Sequence, residues 1–121
     1  MNVLIVQNLP RLHTTPLPSI RIEESRVVVD LDDEFERRFQ LVFQPYQGVR
    51  IITTDCFQVP TGMAEMPKAV VEILDSEWIT DLKRNLKQTD ETANFMEKSR
   101  HFIVPLQDKF LEVIAWSVAV V

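Results

Sequence analysis

The side chains able to act as nucleophile, general base or soft metal ligand are few: Cys56 is the one cysteine, and His13 and His101 are the two histidines. A thiol needs a neighbouring imidazole to become thiolate at neutral pH, so Cys56 with His101 and a carboxylate is the set that nucleophilic catalysis would use. Cys56 falls inside a strand pattern rather than at a helix start, which reads as a strand residue turned into the core, with His13 in a solvated loop. A zinc site would need all three residues and an acid, so neither a metal nor a cofactor is expected. Paired-carboxylate hydrolysis would fall to Asp55 and Glu112 if their strands were neighbours. Arg50 has the chemistry to anchor an anion within a sheet concavity, and Arg37 and Arg38 to pair across strands with acids such as Asp55.

Asp30-Leu31-Asp32-Asp33 after Val27-Val28-Val29 resembles the strand-then-Asp-x-Asp signature of phosphotransferases that use an aspartate nucleophile with magnesium, but Glu34 stands where that motif carries Thr or Val. The chain is also short for their α/β core. As an EF-hand loop the run fails, with Phe35 at the glycine position and Leu41 where the bidentate Glu belongs. A solvated acidic turn is the simpler reading. Only Gly48 and Gly62 are present, so no glycine-rich loop exists to cradle a phosphate.

Thirteen Lys and Arg against 18 Asp and Glu give a net charge of −5 over 121 residues, 45% of them hydrophobic. That is one ordinary domain, long enough to bury a core without disulfides. The acidic balance, with basic doublets only at Arg37-Arg38 and Lys83-Arg84, argues against nucleic acid. The lone cysteine, a start (Met-Asn-Val-Leu-Ile-Val-Gln-Asn-Leu-Pro) without the regions of a signal peptide, and no apolar run of membrane-spanning length point to the cytoplasm and away from membranes.

The elements that would position these groups follow from periodicity. Residues 2–9 suit a short strand, and Pro10, Pro16 and Pro18 mark an extended surface connector. Ile20 and Ile22 alternate with charged residues, and Val27-Val28-Val29 continues as strand up to the acidic run. Phe35, Phe39, Leu41 and Phe43 fall on one sheet face, Gln44-Pro45-Tyr46-Gln47-Gly48 supplies turn chemistry, and 49–57 is β-branched, which predicts a hairpin over 35–57. The apolar loop 58–67 is expected to fold back over the sheet, before a strand at 68–74. Asp75-Ser76 then caps an amphipathic helix over 76–88, whose Trp78, Ile79, Leu82 and Leu86 share a face. Residues 89–99 allow a short helix or an irregular crossing. A hairpin of 101–106 and 110–121 about Gln107-Asp108-Lys109 closes the chain, with Pro105 at an edge or bulge.

The fold class is therefore α+β: a curled, mainly antiparallel sheet of about six strands with one helix. Closed on itself, such a sheet would be a small barrel resembling cupin-like folds in outline, without their His-x-His metal pair. Arg100 to Val121 resembles the C-terminal hairpin of small uncharacterised bacterial α+β proteins, which implies no activity and assigns no residue. The final strand is apolar on both sides as far as Val121, so it is either central or covered by a second copy, and a homodimer is expected. With no catalytic constellation in view, the sequence favours a non-enzymatic interaction or accessory protein. The alternative is a small-molecule binding domain with Phe39, Phe43, Phe102 and Trp116 lining a pocket and Arg50 and His101 as polar contacts, and after it an enzyme using Asp55, His101 or Glu112. Arg50, Asp55, His101, Glu112 and Trp116 are the candidate ligand-binding residues.

Overall fold

The computed structural model describes residues 2–15 and 17–121. Its central feature is a pair of long antiparallel strands, β5 (Arg38–Thr53) and β8 (Lys109–Val120), in register from Leu41↔Val120 to Thr53↔Lys109. The expected hairpin over 35–57 does not form. Gln44-Pro45-Tyr46-Gln47-Gly48 lies within β5, where it shifts the register between Tyr46 and Gly48 instead of reversing the chain; the Gln44–Pro45 peptide is cis. A partner as long as β8 holds both halves of the strand, so turn-forming residues make an irregularity and not a return.

Beyond this pairing, the first half of each strand takes a further neighbour. The first half of β5 pairs with β4 (Val27–Asp33), on which β2 (Leu12–His13) and β3 (Ser19–Ile22) also pair. The first half of β8 pairs with β7 (Arg100–Pro105), followed by β6 (Val71–Ile73) and β1 (Val3–Ile5). The result is an eight-stranded antiparallel sheet in the order β1-β6-β7-β8-β5-β4-β2, with β3 beside β4, and it does not close into a barrel. Pro105 sits beyond the reach of β6, which pairs only as far as Ile103, so its missing N–H interrupts no ladder.

Two sequence expectations change here. The stretch read as a surface connector carries β2, whose Leu12 is buried, and Val6 and Leu12 donate their backbone N–H groups to Val70 and Lys68 across the gap between the sheet's ends. Pro16 lies outside the described residues. The acidic run is strand as far as Asp33, because Asp30 and Asp32 have cation or amide partners on neighbouring strands: Arg21 and Gln40 for Asp30, and Arg38 for Asp32. The turn comes later, at 34–37. Asp33 accepts the backbone N–H groups of Phe35 and Arg37 and pairs with the Arg37 guanidinium, and these bonds, that from the Arg37 backbone first, hold its carboxyl below the usual range. Arg37 and Arg38 thus pair with Asp33 and Asp32, not with Asp55.

The helix α1 (Glu77–Thr89) begins at the N-cap Ser76 and has Lys87 in its last turn, where its ammonium meets the carbonyls of Glu91 and Ala93. Loop 58–67 does return over the sheet, where Met66 packs against the cluster of Val71, Ile73 and Ile103; just before the loop, Phe57 stacks on Phe110 at 4.0 Å. Residues 95–98 form a 3-10 turn with Met96 buried. No helix among the described residues is long and apolar enough to cross a membrane.

The main core lies on one face of the sheet, where Val27, Val29, Leu41, Phe43, Phe102 and Val113 are all fully buried. The Phe43 and Phe102 rings meet at 5.4 Å and join the β4 side of the sheet to the β7 side. Phe43→Ala is expected to lower the unfolding free energy by about 3–5 kcal/mol, read by urea denaturation; a loss of only a few tenths would show that this contact does not join the two halves.

Candidate functional site

Opposite the main core, β5, β8 and β7 place a line of polar groups side by side. Glu112 stands in register between Arg50 of β5 and Ile103 of β7, and His101 lies two residues along β7 on the same face. His101 in turn pairs with Ile73 of β6, and three residues after Ile73 the chain reaches Ser76 and enters α1. Local pairing thus brings together four side chains from four separate parts of the sequence.

Their geometry is that of a continuous relay. Arg50 forks onto Glu112, Nε to Oε2 at 2.8 Å and Nη2 to Oε1 at 3.1 Å. Glu112 Oε1 is 2.7 Å from His101 Nε2, and His101 Nδ1 is 2.7 Å from Ser76 Oγ. Ser76 Oγ also accepts the backbone N–H of Ile79 at 3.1 Å, the usual N-cap bond. An ionised carboxylate only accepts, so a neutral imidazole in this place would carry its proton on Nε2 and leave Nδ1 to accept from the Ser76 hydroxyl. Both imidazole nitrogens and both Glu112 oxygens are then engaged. Glu112 and His101 are each 3% exposed and Ser76 is buried, so the relay runs inward from an exposed Arg50 to three buried groups. Burial pushes the Glu112 carboxyl up, but the hydrogen bonds from His101 and Arg50 and the Arg50 charge outweigh it and hold the group below its ordinary range.

Trp78, in the first turn of α1, covers the outer end of the relay. Its ring lies 4.1 Å from the Arg50 guanidinium and meets the His101 ring edge-on at 5.4 Å. Gly48 makes this approach possible, because a Cβ there would lie 3.0 Å from the indole Cζ2. Beside the relay is a cavity of about 510 Å³. Arg50, Ser76, Glu77, Trp78, His101 and Glu112 form one part of its lining, and Ile52, Phe57, Val59, Pro60, Ile73 and Ile103 the other.

Of the candidate residues, Arg50, His101 and Glu112 meet at this cavity. Asp55 does not: β5 ends at Thr53, and Asp55 is exposed on the 3-10 turn 54–56, outside the register that gives Glu112 its arginine partner. Trp116 lies elsewhere, half-buried with Lys98 5.2 Å from its ring. Phe43 and Phe102 belong to the main core on the other face, and Phe39 packs against it. Cys56 is exposed on the same turn as Asp55, not buried in a strand. It lines the cavity, but both nitrogens of His101 are engaged by Ser76 and Glu112. His13 is half-buried in β2, with Nδ1 buried and unpartnered among the described residues, and is not a solvated loop residue. Among the described residues no three His, Cys, Asp or Glu side chains converge as a metal site.

Ser76 is the member that sequence reasoning took only as a helix cap. The signal lay in its position, between a strand and a helix start, but what marks it out is the contact with His101, 25 residues on. No protein-family model, curated protein or solved structure matches the chain.

The Glu112 carboxyl titrates below its ordinary 4.5 when folded, so its stabilising contribution is complete above that pH and is lost as pH falls through the lower folded value. Glu112→Gln is therefore expected to be less stable than the wild type at neutral pH, with a gap that narrows towards strong acid. Chemical denaturation across the acid range reads this; a gap that stays constant would mean that the charge on Glu112 contributes nothing.

Proposed function

We propose that the protein is a small-molecule binding domain of the cytoplasm, and that its ligand is a compact, largely apolar molecule with one hydrogen-bond-accepting end. The observation that carries this reading is the 510 Å³ cavity, in which polar groups gather on one side and apolar walls on the other. Ile52, Phe57, Ile73 and Ile103 suit the apolar body. Arg50 and the first turn of α1 offer donors to its polar end, because the N–H groups of Glu77 and Trp78 precede the first intrahelical acceptor. The sequence favoured an interaction protein over a binder; the convergence of Arg50, His101 and Glu112 beside a cavity reverses that order.

The anionic aromatic dye 1-anilinonaphthalene-8-sulfonate probes such a site by fluorescence. Saturable binding to the folded protein is expected, weakened about tenfold or more in Trp78→Ala, the loss of roughly 1.4 kcal/mol of contact. No saturable binding, or equal binding by a folded Trp78→Ala variant, contradicts the reading.

Self-association is the second reading, favoured by the end of β8. Strand β7 pairs only as far as Ala115, so the outer edge of 116–120 has no strand beside it among the described residues, and none of those side chains is charged. A second copy pairing antiparallel along this edge would give a symmetric homodimer. Val120 is 43% exposed, so Val120→Lys spares the core while charging the edge. The wild type is expected to sediment as a dimer and the variant as a monomer; a monomeric wild type at high concentration contradicts the pairing.

A further inference from the structure

We infer that Ser76 is a nucleophile and that the cavity takes a short-chain acyl ester, whose acyl group the serine accepts. This rests on the small-molecule reading of the same cavity and names its substrate class. A serine serving only as a helix cap needs no more than the N–H of Ile79, yet Ser76 Oγ also lies 2.7 Å from an imidazole nitrogen whose opposite nitrogen is held 2.7 Å from a buried carboxylate. Nucleophile, base and orienting acid are thus in sequence. All three line the cavity, so the group they act on has somewhere to sit.

Charge and hydrogen bonding assign the roles. Glu112 fixes the proton of neutral His101 on Nε2, which makes Nδ1 the base. Arg50 holds Glu112 ionised and in place from its other side. The Ser76 oxygen, donating its proton to Nδ1 and accepting from Ile79, keeps a second lone pair for attack. In acylation the Oγ–C bond forms as the O–H proton passes to Nδ1, and the tetrahedral oxyanion is received by the N–H groups of Glu77 and Trp78. Collapse breaks the ester C–O bond, and the proton on Nδ1 goes to the departing alkoxide, which leaves as an alcohol. Water then adds to the acyl-serine, gives its proton to Nδ1, and the acid departs as Oγ recovers that proton. No oxidant, metal or cofactor enters the balance. The apolar wall of Phe57, Ile73 and Ile103 suits an acyl chain of a few carbons.

The test is labelling of the full chain with an alkyl fluorophosphonate, read by intact mass and peptide mapping, with p-nitrophenyl butyrate hydrolysis followed in parallel. One label on Ser76 is expected, with fluoride released. His101→Gln should slow labelling by about a hundredfold or more, as expected for loss of a general base. Ser76→Gly removes the hydroxyl while retaining most of the N-cap preference, so it is expected to fold and to stay unlabelled. Exposed Ser117 lies outside the site, and Ser117→Ala should label like the wild type. A wild type that binds the sulfonate dye yet takes no label, or takes it on Cys56, overturns the nucleophile and leaves the binding reading standing. A folded wild type that neither labels nor binds the dye overturns both. Labelling at Ser76 with an unchanged rate in His101→Gln overturns the relay.

Discussion

Glu112 is a carboxylate withdrawn from water, and a buried charge is tolerated only where neighbouring groups replace its hydration. Its donors come from Arg50 on one neighbouring strand and His101 on the other, so β5, β8 and β7 must hold one register for the charge to be satisfied. A slip by one residue on either side would turn the donor to the opposite face. His101 then needs a partner for its second nitrogen, and this fixes where the chain re-enters after β6, because Ser76 must arrive at Nδ1. The start of α1 is set by the same requirement. One buried charge therefore couples three strands and a helix cap.

The long pairing of β5 with β8 lets the sheet carry two jobs. On one face the strands cover an apolar core in which Phe43 and Phe102 join the halves. On the other side α1 covers the sheet only in part, and none of its side chains is fully buried. Trp78, stacked on Arg50 against Gly48, makes its closest described ring contacts there. The cavity lies where the helix start, the loop after Cys56 and the strands diverge. A helix packed more tightly on the sheet would have filled that space, and so the loosest layer of the fold is also the one that leaves room for a ligand.

Local patterns were legible in the sequence wherever one element decided its own form. The capped helix after Ser76, the closing hairpin about Gln107-Asp108-Lys109 and the apolar loop around Met66 follow from capping, alternation and composition, and the antiparallel α+β class follows from them. Elements decided by a distant partner were misread. Pro45 and Gly48 look like a turn until β8 is known to run alongside both halves of β5. The acidic run looks solvated until Arg21, Gln40 and Arg38 are known to reach Asp30 and Asp32 from neighbouring strands. At the site, Arg50, His101 and Glu112 could be picked out as unusual charges in strands. Their joining with Ser76 depends on strand order, which alternation does not encode. Asp55 falls just past the end of its strand and so misses the cross-strand partners that Glu112 has.

A long-range 1H–15N correlation spectrum of His101 at neutral pH reads the relay most directly, with His101→Gln identifying its signals against those of His13. The proton is expected on Nε2, facing Glu112, with Nδ1 showing the shift of a nitrogen that accepts a hydrogen bond. A proton fixed on Nδ1, or a ring exchanging freely between the two tautomers as in open water, would contradict the path from Ser76 to Glu112.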